Sequence, residues 1–256
     1  MACPVLNRPA MNVSLYQAAS AMTANIRWQD MISQNMSSSA IPGFKKQEIS
    51  FSAVEAGLMP ANTAGIRHMS MPRAASSTNF LSGELRPTGA MTDFGLQGAG
   101  FFEVQLPDGS SAYTRNGEFK MSALGQLVTK QGYLVLGESG PIQRDLKNPA
   151  PLTVSSNGEV SQGTDVKGKL KLTDFNDPKL LNQVVVGLFL ANDPKLVPTP
   201  ATGATVQQGS LEESNVTPVT EMAGLMSAMR TFEANQRIIQ IQDDRLGKAI
   251  TQIAGS

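Results

Sequence analysis

The 256-residue sequence predicts an α+β fold in which N- and C-terminal helices pair as an α-helical coiled-coil layer and flank a central antiparallel β domain. Three observations predict it. Residues 222–253 place apolar side chains at alternating three- and four-residue intervals, the spacing of a helical seam. Residues 14–38 repeat the pattern more weakly. Between Phe94 and Leu211, short apolar runs alternate with Asp-Gly and Asn-Gly pairs, the turn chemistry of antiparallel hairpins.

The elements follow in order. Residues 1–10, MACPVLNRPA, hold two prolines and no apolar period, and read as a disordered N-terminal extension. Residues 11–41 form the N-terminal helix of a helical domain. Its helix opens near Ser14 and ends at Ile41-Pro42-Gly43, because proline cannot continue a helix. Its seam reads Leu15, Ala18, Met22, Asn25, Gln29, Ile32, Met36. Residues 42–80 are rich in Pro, Gly, Ser and Ala and read as an irregular linker.

Residues 81–213 form the β-rich domain. Its predicted turns lie at Asp108-Gly109, Asn116-Gly117 and Asn157-Gly158. Its predicted strands are 100–104, 127–129, 133–136 and the longer apolar run 184–190. Residues 214–256 hold the C-terminal helix. Thr217 caps it and Pro218 opens it, since proline has no N–H to leave unpaired in the first turn. Glu221 sets negative charge where the helix dipole favours it. From 218 to 253 the helix is about 54 Å long.

Composition excludes several functions. Lys plus Arg equal Asp plus Glu at 21 each, so no basic surface speaks for nucleic acid. No run reaches the ~20 apolar residues of a membrane span, which predicts no stable membrane insertion. Residues 1–30 lack the apolar stretch of a cleavable secretory signal. A single cysteine, Cys3, allows no internal disulfide, and with the single histidine, His68, it cannot make an ordinary zinc site. The glycines at 95, 98 and 100 run in the reverse order of a dinucleotide loop and lead into Phe101-Phe102 rather than a helix. The sequence therefore predicts no catalytic residues, no cofactor and no metal.

What it offers instead is two long seams with no neighbour in sequence. Their apolar residues are the candidate subunit interface: Leu15, Met22, Ile32 and Met36 on the first helix, and Met222, Leu225, Met229, Phe232, Gln236, Ile239, Leu246, Ile250 and Ile253 on the second. The expected partners are other copies of the chain. A cell-wall-associated binding protein or hydrolase is the remote alternative.

Five blocks carry a resemblance: SLYQAASAM, NMSSSAIPGFKK, GAGFFEVQLPDGSSAYTRNGEF, GQLVTKQGYLVLGESGPI and GSLEESNVTPVTEMAGLMSAMRTFEANQRIIQIQDDRLGKAI. In this order they resemble the bacterial flagellar basal-body rod and hook proteins. The chain departs from that pattern at Gln34-Asn35-Met36-Ser37-Ser38 and Ala40-Ile41-Pro42-Gly43-Phe44, where the family usually reads Asn-Asn-Leu-Ala-Asn and Asn-Thr-x-Gly-Phe. Gly137–Ile142 resembles the proximal rod member more than the distal rod or hook-type members. The resemblance implies a helically assembling axial subunit with an inner α layer and an outer β layer. It implies other rod and hook axial proteins as neighbours. It also implies delivery by the flagellar type III export apparatus without a cleavable signal, and residence in the periplasmic rod of the basal body, where torque is transmitted for motility.

Overall fold

The protein is described here by a computed structural model that covers residues 11–59 and 67–254. Two helices, α1 (Met11–Ser38) and α2 (Pro218–Ala254), stand at its two ends. The chain divides into two compact units. One comprises the described parts of 1–34, 47–77 and 219–256; the other comprises 35–46 and 78–218. The expected extension at 1–10 lies outside the described residues.

In the helical unit, α2 begins at Pro218, where the Thr-Pro pair predicts it. A methyl group placed on Gly224 would meet Ile32 Cδ1 at 3.5 Å, so α1 and α2 approach one another at this point. The stretch read as an irregular linker departs from that expectation. It carries two long strands, Gln47–Met59 and Arg67–Thr78, which pair as a two-stranded sheet. Their alternation is diluted by Ser, Ala and Gly, which carry little hydrophobic signal. Phe51 on the first strand meets the indole of Trp28 edge-on, at 5.8 Å between ring centroids.

The β unit is built around the strand Phe101–Gln105. It pairs antiparallel with Ser111–Thr114, Leu134–Gly137 and Leu172–Phe175 in a ten-stranded sheet. Successive side chains point to opposite faces, and here both faces are buried. Phe102 and Val104 enter a core with Phe94, Leu96, Phe119 and Val135. Phe101 enters a second core with Tyr113, Phe175 and Phe189. That explains the unbroken apolar run Gly100-Phe101-Phe102, and each fully buried Phe contributes about 1.5–3 kcal/mol.

Asp108-Gly109 turns the hairpin between Phe101–Gln105 and Ser111–Thr114, and Asn157-Gly158 turns that between Leu152–Val154 and Glu159–Gln162. Gly109 adopts φ +84° with open space around its Cα. Gly109→Ala is therefore expected to cost only about 1–2 kcal/mol, the left-handed backbone term alone, read as a small drop in the urea midpoint.

Two local expectations are corrected. Asn116-Gly117 does not close a hairpin; Gly117 is needed because its backbone packs on Phe94, whose N–H donates to the Gly117 carbonyl at 3.0 Å. The run 184–190 is not one strand. It folds back at Gly187, φ +76°, so that Asn182–Val185 pairs with Leu188–Leu190 and leaves Val184 and Val185 exposed.

Two further strand pairs carry the chain toward its C-terminal helix. Thr205–Gln208 pairs with Phe94–Gln97, and Ser210–Glu212 pairs with Leu85–Pro87.

Candidate functional site

The surface of α2 is the first candidate. Among its described side chains the less exposed are Glu221, Gly224, Leu225, Ala228, Phe232, Asn235, Ile239 and Gln242, which, Gly224 aside, alternate by four and three. This line shares Leu225, Phe232 and Ile239 with the predicted interface. Its other positions are Glu221, Ala228, Asn235 and Gln242, and the predicted Met222, Met229 and Gln236 lie off it.

The more apolar line stays open: Met222, Met226 and Met229 are 54%, 56% and 51% exposed, and Val219 beside them is more so. Gln236 and Ile250 are exposed as well. On a third side Ile238 and Ile241 are 45% and 46% exposed, in a shallow surface hollow shared with Arg230, Ala234 and Arg237. At 3.6 residues per turn these three lines stand roughly a third of a turn apart. The sequence signal that marks this is that large apolar residues also stand off the covered line, which widens the apolar stripe beyond a strict seam.

On α1 the covered face is broader than the predicted seam. Ala18, Asn25 and Ile32 are buried and Met22, Gln29 and Met36 half-buried, but Ala24, Met31 and Asn35 are buried too. Ile26 is the large apolar side chain of this helix that stands exposed among the described residues. The side chains of Leu15, Leu246 and Ile253, like that of His68, lie outside the described residues.

The second candidate lies wholly in the β unit and was not predicted. Lys45, Arg115 and Glu212 are buried together, with side-chain exposures of 0%, 4% and 1%. The Lys45 ammonium donates to Glu212 Oε1 at 2.6 Å and to the Leu81 carbonyl at 2.8 Å. The N–H of Gly83 donates to the same Oε1 at 2.9 Å. Arg115 donates through Nη1 to Glu212 Oε2 at 3.3 Å and through Nη2 to the Gly98 carbonyl at 2.8 Å, and its guanidinium lies 5.2 Å from the Phe101 ring centroid.

Burial pushes both cations below their ordinary pKa ranges, and the Glu212 carboxylate opposes that push. Gly43, at φ +67°, brings the chain close: its N–H donates to the Glu212 carbonyl at 2.7 Å, and a β-carbon there would overlap the Arg115 carbonyl. Asn215 completes the arrangement. Its Oδ1 accepts from Lys46 N–H at 2.7 Å, and its Nδ2 donates to the carbonyls of Asn79 and Leu81 at 2.9 and 3.0 Å.

Among the described residues no group of three or more His, Cys, Asp or Glu side chains is placed to hold a metal. The two candidates are an exposed apolar helix surface and a buried ion cluster.

Comparison with known proteins follows the same direction. Residues 95–162 match a family model described as the flagellar hook protein FlgE/F/G D1 domain, and residues 207–252 match one described as the flagellar basal body rod FlgEFG protein C-terminal region. The flagellar basal-body rod protein FlgG of Borreliella burgdorferi is 31% identical over 258 residues, covering 92% of this chain and 97% of its own. The flagellar basal-body rod protein FlgF of Mesorhizobium japonicum is 33% identical over 229 residues, 87% and 90% of the two chains. The FlgF of Escherichia coli is 29% identical over 259 residues, 93% and 97% of the two chains.

Proposed function

The chain belongs to the flagellar basal-body rod and hook family, and from that premise we propose that it is a structural subunit of the rod that assembles helically through its terminal helices. It is a contact-making protein, not a catalyst. In the assembled rod α1 and α2 pair as a coiled-coil layer, and the rod serves as the axial drive shaft in the periplasm. Its neighbours are further copies and other rod and hook axial proteins, and it reaches its place through the flagellar type III export apparatus. We place it at the proximal rod, on the resemblance of residues 137–142 to the proximal member, with a distal rod or hook-type position as the alternative. A tagged chain located along purified basal bodies by electron microscopy separates the two.

One observation carries the proposal: beyond the line its own chain covers, α2 holds large apolar side chains exposed at Met222, Met226, Met229, Ile238 and Ile241. A head-to-tail contact between unlike surfaces that does not close into a ring extends as a helix. The open methionines suit this role, because an unbranched thioether side chain adapts to neighbours that are similar but not identical.

The test is a charge on the open face. Met226→Glu is expected to leave the urea midpoint of the free chain unchanged within about 0.5 kcal/mol, as for exposed positions generally. It is expected to abolish incorporation into rods, counted in purified basal bodies and seen as loss of motility. Normal incorporation of this variant would count against the interface. Deleting residues 219–256 is expected to do the same while the β signal in circular dichroism persists.

A further inference from the structure

The Lys45–Glu212–Arg115 cluster fixes where the chain leaves the β unit, we infer, and rod incorporation depends on that fixed exit rather than on any stability the cluster adds. This rests on the function proposed above. The chain passes between the two units after residues 34, 46, 77 and 218. On the β-unit side, the segments at three of these passages, after 46, 77 and 218, are gathered by two side chains. Glu212 takes Lys45 and Gly83 on one oxygen and Arg115 on the other. Asn215 takes Lys46 on its oxygen and gives its amide protons to Asn79 and Leu81. Residues 43–46, 79–83 and 212–215 are thereby tied to one point.

The choice of ions for this point is informative. A buried ion cluster is ordinarily no more stabilising than apolar packing of the same volume, because desolvation consumes the attraction. This one is not even fully satisfied: Arg115 Nε has no hydrogen-bond partner among the described residues. What charge-assisted hydrogen bonds supply that apolar contacts do not is direction. Each donor reaches its oxygen from one side only, so the three segments hold one arrangement. An apolar plug of equal volume would tolerate several.

The experiment separates stability from arrangement in the full chain. The triple variant Lys45→Met, Arg115→Met, Glu212→Leu is expected to unfold at a urea concentration equal to or above that of the parent, yet to fail to enter rods in cells that lack the native copy. Glu212→Asp provides a milder second variant, keeping the carboxylate but shortening its reach by one methylene. It is expected to unfold cooperatively, to accelerate amide exchange about tenfold or more at 43–46, 79–83 and 212–215 while Phe101–Gln105 stays protected, and to lose incorporation. Either variant, folded and entering rods at the parental level, overturns the inference. If the parental chain itself fails to enter rods, the proposed function falls instead, so the two failures are told apart.

Discussion

Glu212→Gln is expected to lower the stability of the β unit by about 3–5 kcal/mol, because it leaves two buried cations without their shared carboxylate. The amide keeps the shape of the side chain, so packing alone predicts almost no change. Lys45 sits at 0% exposure, and its chain neighbour Phe44 is fully buried as well. Against a domain stability of about 5–15 kcal/mol, the loss is large enough to read directly as a shift in the urea midpoint. It is also expected to pull the Lys45 pKa further down, since the raising influence of Glu212 is removed while burial remains. A midpoint within 1 kcal/mol of the parent would mean that water enters and solvates the pair.

Gly117→Ala is the second large effect. A β-carbon on Gly117 would stand 1.7 Å from the Phe94 carbonyl oxygen and 2.7 Å from its carbon. Backbone cannot swing aside as a side-chain tip can. The substitution must therefore break the Phe94 N–H to Gly117 carbonyl bond and shift the edge of the core that holds Phe94 and Phe119. Overpacking of this kind costs about 1–3 kcal/mol and sometimes more, and we expect the upper end, with near-ultraviolet circular dichroism reporting the disturbed aromatic packing. Gly109→Ala is the matched control, because its site is open.

These two sites differ in how far the sequence revealed them. The helices were legible because a Thr-Pro start and a sustained period are local signals, and two hairpins were legible at Asp108-Gly109 and Asn157-Gly158, though the same signal misled at Asn116-Gly117. The role of Gly117 was not, since its reason for being glycine is a carbonyl more than twenty residues away in sequence. Nor was the cluster: Lys45 and Glu212 are 167 residues apart, and Arg115 and Glu212 are 97. The available hint was a glutamate at an inward position of the strand Ser210–Glu212.

The phase of the α2 seam was half legible. A period search selects the most apolar line, which passes through Met222 and Met229. Inside the chain, the less exposed line uses Glu221, Ala228 and Asn235 instead, because small or hydrogen-bonding residues permit close approach. The most apolar residues are thus the ones that stay exposed on the chain itself.

The pairing of Leu85–Pro87 with Ser210–Glu212 has a kinetic consequence. A strand made early waits for a complement made almost last, and such distant closures are slow because a long loop must be ordered first. A nascent polypeptide therefore forms its central hairpins but lacks the final lock until residues 210–212 arrive, and truncation before residue 210 is expected to trap it in that unlatched form.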